Sequence, residues 1–247
     1  MSSLHRWTRD LARRYVGIVL TLALPVTGLA QSDVPPKPVV DLKPGRFNYK
    51  TQMEINGRVV PMDLTHTVKS QGSTWVITDS LKFAGYTAVD SGIIEKKTLI
   101  SRSRTFHDPT TSVDMRFAGR NATGTITTKG QTQPISINIG GVLFADGPSG
   151  QDVIAALPLA NGYSTEFLNF KYETQQIAQQ QLRVLGADSV TVPAGTFDTW
   201  KVLIISADGG PGDTAAMWID KKSRRVVKIA STLLGRNEMI VTAELTK

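Results

Sequence analysis

From Gly45 onward apolar and polar residues alternate with a period of two. Phe47, Tyr49, Thr51, Met53 and Ile55 interleave with Asn48, Lys50, Gln52 and Glu54, the pattern of a strand with one buried face. Asn56-Gly57 then supplies a two-residue hairpin turn. The return strand places Val60, Met62, Leu64, His66 and Val68 on one face, and Pro61 on the other predicts a sheet edge or a bulge there. Similar runs recur at Thr74 to Asp79, Gly85 to Asp90, Thr98 to Phe106, Val113 to Phe117, Ile135 to Ile139, Thr199 to Ser206, Ala215 to Ile219, Arg225 to Ser231 and Met239 to Leu245. Short strands joined by hairpin-length turns predict an all-β fold, mainly an antiparallel meander, with no alternating βα units.

One segment departs from this pattern. Asp146-Gly-Pro148-Ser149 supplies turn and N-cap residues, and Val153, Ile154 and Leu157 follow at helical spacing, predicting a short helix from about Ser149 to Leu157. The Gln-rich stretch from Thr174 to Gln181 reads as a hairpin arm running into Gly186-Ala187-Asp188. Residues 31–44 contain four prolines and predict an extended linker, which leaves 45–247 as a single β domain. With 7% aromatic residues the chain lacks the paired aromatic girdles of an outer-membrane barrel.

Before the linker, Arg6, Arg9, Arg13 and Arg14 precede the apolar run Tyr15 to Leu24, and Gly28 and Ala30 stand three and one residues before an expected cut. Residues 1–30 therefore read as a signal peptide. Export implies a periplasmic protein, with secretion as the alternative. Its loss also changes the charge: removing four arginines and one aspartate leaves 24 basic and 20 acidic residues, a net +4 in place of +7. The remaining cluster, Lys221, Lys222, Arg224 and Arg225, has no interleaved stacking aromatics, so nucleic acid is not expected as a partner. The absence of Cys removes disulfides, thiolate metal sites, cysteine nucleophiles and a lipidated N-terminal Cys.

The segment V190-T-V-P-A-G-T-F-D-T-W-K-V-L-I-I205, followed by M217-W-I-D220 and R224-R-V-V-K-I-A230, resembles an exported bacterial family known only as a domain of unknown function. Read physically, Pro193, Gly195, Phe197 and Trp200 form and cover a turn, and Trp218 and Asp220 lead into a second hairpin. The resemblance implies a curved half-barrel or clam-like sheet with one short helix, similar to periplasmic lipoprotein carriers. It brings no catalytic residues with it.

Candidate chemistry is sparse. His107-Asp108-Pro109 reads as a strand-ending turn, because adjacent residues on a strand point apart. His66 shares an apolar face, where a polar ring needs a partner, and a general base there would make the chain a hydrolase. Asp208 and Asp213 share a loop too sparse in acids for a calcium site; no metal or cofactor is expected. The expectation is thus a non-enzymatic exported protein binding a lipid or lipoprotein-like ligand, with Val60, Met62, Leu64, His66, Val68 and Met115 as the binding face. The alternative is an assembly module recruiting another envelope protein through a strand edge. After cleavage nothing marks an integral membrane protein. N-terminal sequencing of the periplasmic protein is expected to begin at Gln31; a chain still starting at Met1 would refute the cleavage.

Overall fold

The computed structural model describes residues 34–171, 175–207, 214–234 and 238–246; the expected signal peptide and the Asp208 to Asp213 loop lie outside them. Among the described residues fourteen antiparallel strands form one sheet. The first eight are β1 (Gly45–Ile55), β2 (Arg58–Gln71), β3 (Thr74–Phe83), β4 (Tyr86–Glu95), β5 (Ser101–His107), β6 (Thr111–Ala118), β7 (Asn121–Thr128) and β8 (Gln131–Asn138). After a helix, α1 (Gly150–Ala155), come β9 (Ser164–Lys171), β10 (Gln176–Val192), β11 (Gly195–Ser206), β12 (Thr214–Asp220), β13 (Val226–Leu234) and β14 (Glu238–Leu245). Each half is a meander, and pairing of β1 with β14 joins them, so β8 and β9 are the two edges.

The sheet curls, and α1 plugs its hollow. Val153, Ile154, Ala155, Ala156 and Leu157 are buried with Val68, Trp75 and Ile77 from one half of the sheet and with Phe167, Leu182, Val202, Ile204, Ile219 and Val226 from the other. A helix apolar on nearly every side is stable only when surrounded. The segment before it links the two halves of the sheet: Ser101 N–H of β5 donates to Leu143 O, and Leu143 bridges to Leu168 of β9. Beneath that segment, Val113, Met115 and Ile135 pack with Leu168 and Phe170 in a second core.

The alternation along β1 and β2 appears as expected, with Phe47 opposite His66, Tyr49 opposite Leu64 and Thr51 opposite Met62. Pro61 does not sit on an edge strand. It pairs with Gln52 of β1, but β3 pairs with β2 only from Asp63 onward, so the missing N–H costs no hydrogen bond on that flank. The expected hairpin at Gly186 is instead a bulge: β10 runs on to Val192, shifting register between Val184 and Gly186. β7 and β9 were not foreseen, because Thr-, Ser- and Asn-rich stretches carry little apolar alternation. The proline-rich 34–44 segment is docked and is not a free linker: Val39 N–H donates to Ala156 O at 2.8 Å, and Val40 and Leu42 pack on the core around α1.

The β10–β11 hairpin turns at Pro193 and Ala194, and Ala194 N–H donates to Leu245 O at 3.0 Å. Phe197 and Trp218 pack near Tyr49, Val192 and Val227, whereas Trp200 packs on the core around α1. Trp218 Nε1–H donates to Asp188, and Asp220 accepts from the backbone and hydroxyl of Ser223 to close the next turn. Gly195 has φ of +131°, a conformation in which a β-branched side chain is strained. Gly195→Val is expected to destabilise by about 1–3 kcal/mol; thermal unfolding within error of wild type would contradict this.

Candidate functional site

The polar residues that alternation places among buried ones converge at the start of α1. His66 on β2 is opposite Asp79 on β3, and Asp79 is opposite Asp90 on β4, so three titratable side chains form a row across the sheet. His66 is 1% exposed. Its Nδ1 lies 2.6 Å from Asp79 Oδ1 and its Nε2 lies 2.8 Å from Asp152 Oδ2 of α1. The Gln151 side-chain amide also approaches Nδ1, at 2.6 Å.

Burial alone would lower the His66 pKa. Hydrogen bonds to Asp152 and Asp79, reinforced by the charge of both carboxylates, overcome that and push it up to about 10. Burial also pushes the Asp79 carboxyl up, against the pull of His66; with the shared proton on the ring, His66 is an imidazolium that gives one N–H to each carboxylate. Such a ring has no lone pair with which to accept a proton, so the geometry does not make His66 a general base. Phe47 stacks beside it at 6.3 Å between ring centroids, and the Arg225 guanidinium lies 3.7 Å from the centre of the Phe47 ring.

A second ionic group flanks the first. Arg104 on β5 grips Asp90 with two hydrogen bonds, from Nε at 3.0 Å and Nη2 at 2.7 Å, and its Nη1 lies 3.6 Å from Asp146. Burial pushes the Asp146 carboxyl up, and Arg104 opposes that shift. Asp146 and Ser149 do not cap the helix as expected. Asp146 turns to accept from Phe170 N–H at 3.1 Å, while the Ser149 hydroxyl donates to the Asp146 carbonyl. Gly147 has a φ of +55°, and a Cβ there would stand 2.5 Å from Arg104 Nε, so a side chain would have to displace the guanidinium.

These two groups position α1 over an apolar cavity of about 340 Å³, lined by Leu64 and Ile154 and by Phe167, Ile204, Met217 and Ile229 of the other half of the sheet. Of the expected binding face, Leu64 lies on this cavity. His66 lines a second cavity of about 180 Å³ between Tyr49, Arg225 and the 40–43 segment. Val68 and Met115 are wholly buried in packed core, and Met62 lines a groove beside the β3–β4 turn. Val60 is part-buried. The sequence reading missed Asp79, Asp90, Arg104, Asp146, Gln151 and Asp152. Asp79 and Asp90 had a usable signal: each is in phase with buried neighbours, Ile77 on β3 and Ile94 on β4.

The basic cluster is less solvated than expected. Lys221 pairs with Asp198 and lies over Trp200, Arg224 donates to Leu157 O, and Arg225 covers Phe47. At His107-Asp108 the structure has a turn in which Asp108 accepts from Thr110 and Thr111 N–H, and His107 meets the Ser112 hydroxyl. Among the described residues no helix is long and apolar enough to cross a membrane.

A family model described as "Protein of unknown function (DUF3108)" matches residues 45–242. Among solved structures, the chain is similar to one from Bacteroides fragilis described as "a putative exported protein with YmcC-like fold", at 11% identity and a TM-score of 0.29, covering 86% of this chain and 99% of that one. No curated protein matches. The expected likeness to lipoprotein carriers has no counterpart among these matches.

The ionic site predicts a specific pH dependence. The His66 pKa is raised on folding from its ordinary 6.5 to about 10, so its stabilising contribution is fully present below about 6.5 and is lost as pH rises through 10. His66→Ala is expected to cost on the order of 3 kcal/mol at neutral pH. In denaturant titrations the gap between wild type and variant should shrink steadily between pH 6.5 and 10; a gap that does not change with pH would mean that the ring is neutral.

Proposed function

Because this chain belongs to the DUF3108 family, whose function is unknown, we propose its function from the site itself: an exported, non-enzymatic protein that binds an apolar or amphipathic component of the cell envelope. The observation carrying this reading is the apolar cavity between α1 and the β9–β13 half of the sheet. Its size falls at the low end of small-molecule sites, which run from about 300 to 1,000 Å³. Its walls are mostly aliphatic and aromatic side chains, and the polar part of the lining includes the charged Asp79 and Lys171 beside Gln151, Asn169 and Gln180. A space walled this way binds by removing apolar surface from water.

Three features support a carrier over a hydrolase. Among the described residues His66 is held between carboxylates, no hydroxyl nucleophile is hydrogen-bonded to it, and the ionic groups anchor the helix that forms the cavity's wall. Periplasmic location and a lipid-like ligand belong to this proposal together with export.

Ala215 lines the cavity, so Ala215→Trp should fill it without adding charge. Native mass spectrometry of periplasmic wild-type protein is expected to show a co-purified lipid, and the variant, folded by circular dichroism, should retain about tenfold less, equivalent to ~1.4 kcal/mol. Wild-type protein free of any lipid would instead favour an assembly module acting through the exposed edges of β8 and β9.

A further inference from the structure

Antiparallel connectivity sends alternate turns to opposite ends of the curled sheet, and the two ends differ in charge. One end has the entry to β1 and the β2–β3, β4–β5, β6–β7, β10–β11 and β12–β13 turns. Lys43 stands at the entry, Lys96 and Lys97 in the β4–β5 turn, and Arg120 in the β6–β7 turn. The β12–β13 turn adds Lys221, Lys222, Arg224 and Arg225. Among the described connections at this end the acids are Asp41 on the surface, and Asp146 and Asp152, which Arg104 and His66 hold inside. The described turns at the opposite end, 56–57, 84–85, 108–110 and 129–130, have one acid, Asp108, and one base, Lys129.

Folding does not require this bias. Turns favour Gly, Asn and Asp for backbone reasons that a lysine does not meet, and gathering like charges at one end costs stability through their repulsion. Nor are the charges consumed locally. Nearby carboxylates are already matched, Glu95 with Arg102 and Asp198 with Lys221. Lys43, Lys97 and Lys222 are exposed and make no ion pair among the described residues.

Because the charges are spread over separate turns and not gathered in one groove, they suit an extended surface better than a peptide. Every tryptophan after residue 30 lies near the same end. Trp75 pairs with Ser70 beside the β2–β3 turn, Trp200 pairs with Ile219, and Trp218 is two residues short of Asp220. Each has a lysine over its ring, Lys96, Lys221 and Lys201 in turn. Tryptophan beside basic residues is the combination that the head-group layer of a bilayer favours. We propose that this end of the sheet docks on an anionic phospholipid bilayer, with Lys43, Lys97, Arg120 and Lys222 toward the phosphates. Docking of this kind does not depend on what the cavity carries, and it would set the carrier proposed above against the surface with which it exchanges.

The test is sedimentation of the mature protein with phosphatidylglycerol vesicles and, separately, with phosphatidylcholine vesicles at low salt. Binding to the anionic vesicles alone is expected, and it should disappear as added salt screens the charges. A Lys or Arg at an anionic surface is worth about fivefold in binding. Lys97→Gln and Lys222→Gln should therefore each weaken binding by about that factor, while Lys129→Gln at the opposite end should leave it unchanged. All three lysines stand in turns, so the strands stay intact in the variants. No binding to phosphatidylglycerol, or equal binding to both vesicles, would overturn the proposal. So would variants at Lys97 and Lys222 that bind like wild type, or a loss with Lys129→Gln as large as theirs. Binding to soluble polyglutamate with none to vesicles would reject the bilayer and assign this end to an acidic protein.

Discussion

A cationic imidazole held between two carboxylates joins the helix to the sheet, and the arrangement of the interior follows from that contact. Asp79 belongs to the sheet and Asp152 to α1, so His66 is the tie between them. A six-residue helix has too few internal hydrogen bonds to persist alone. It is held here by apolar burial on nearly every side and by this one ionic contact at its first turn. Buried ion pairs add little net stability compared with apolar packing, but removing one partner leaves an uncompensated charge. Their effect is therefore on placement: α1 must seat with Asp152 over His66, and the rest of the helix takes its register from that.

The Arg104 group does the same for the segment leading into the helix. Asp146 faces Arg104 of β5 and accepts from Phe170 on β9, so the first half of the sheet and the edge strand of the second are linked through one carboxylate. Together the two groups hold the plug at both sides of its N-terminal end. What they leave unfilled is the volume facing β11, β12 and β13, and that volume is the apolar cavity. The same ionic tie that shapes the cavity also occupies both ring nitrogens of His66.

Much of this architecture was legible along the chain. Strict alternation in β1 and β2 set which residues face inward, and Asn56-Gly57 set their register, because a one-residue slip would turn every side chain to the opposite face. The short helix was legible from Pro148 and the spacing of Val153, Ile154 and Leu157. A histidine in phase with Leu64 and Val68 required a buried partner. Where alternation was weak, as in the Thr-rich β7, or where a bulge at Gly186 let a strand continue past an apparent turn, local pattern had nothing to report.

The sequence by itself determined the all-β class, the β1–β2 hairpin, the position of the helix and the inward face of His66, since each follows from local periodicity or turn chemistry. Only the tertiary structure decided that β1 pairs with β14, that the proline-rich segment docks on Ala156, and that Asp152, 86 residues away in the chain, is the partner of His66. Those contacts join residues from distant parts of the chain. Their selection depends on how the curled sheet and its plug fill a shared volume, and no local pattern of polar and apolar residues encodes it.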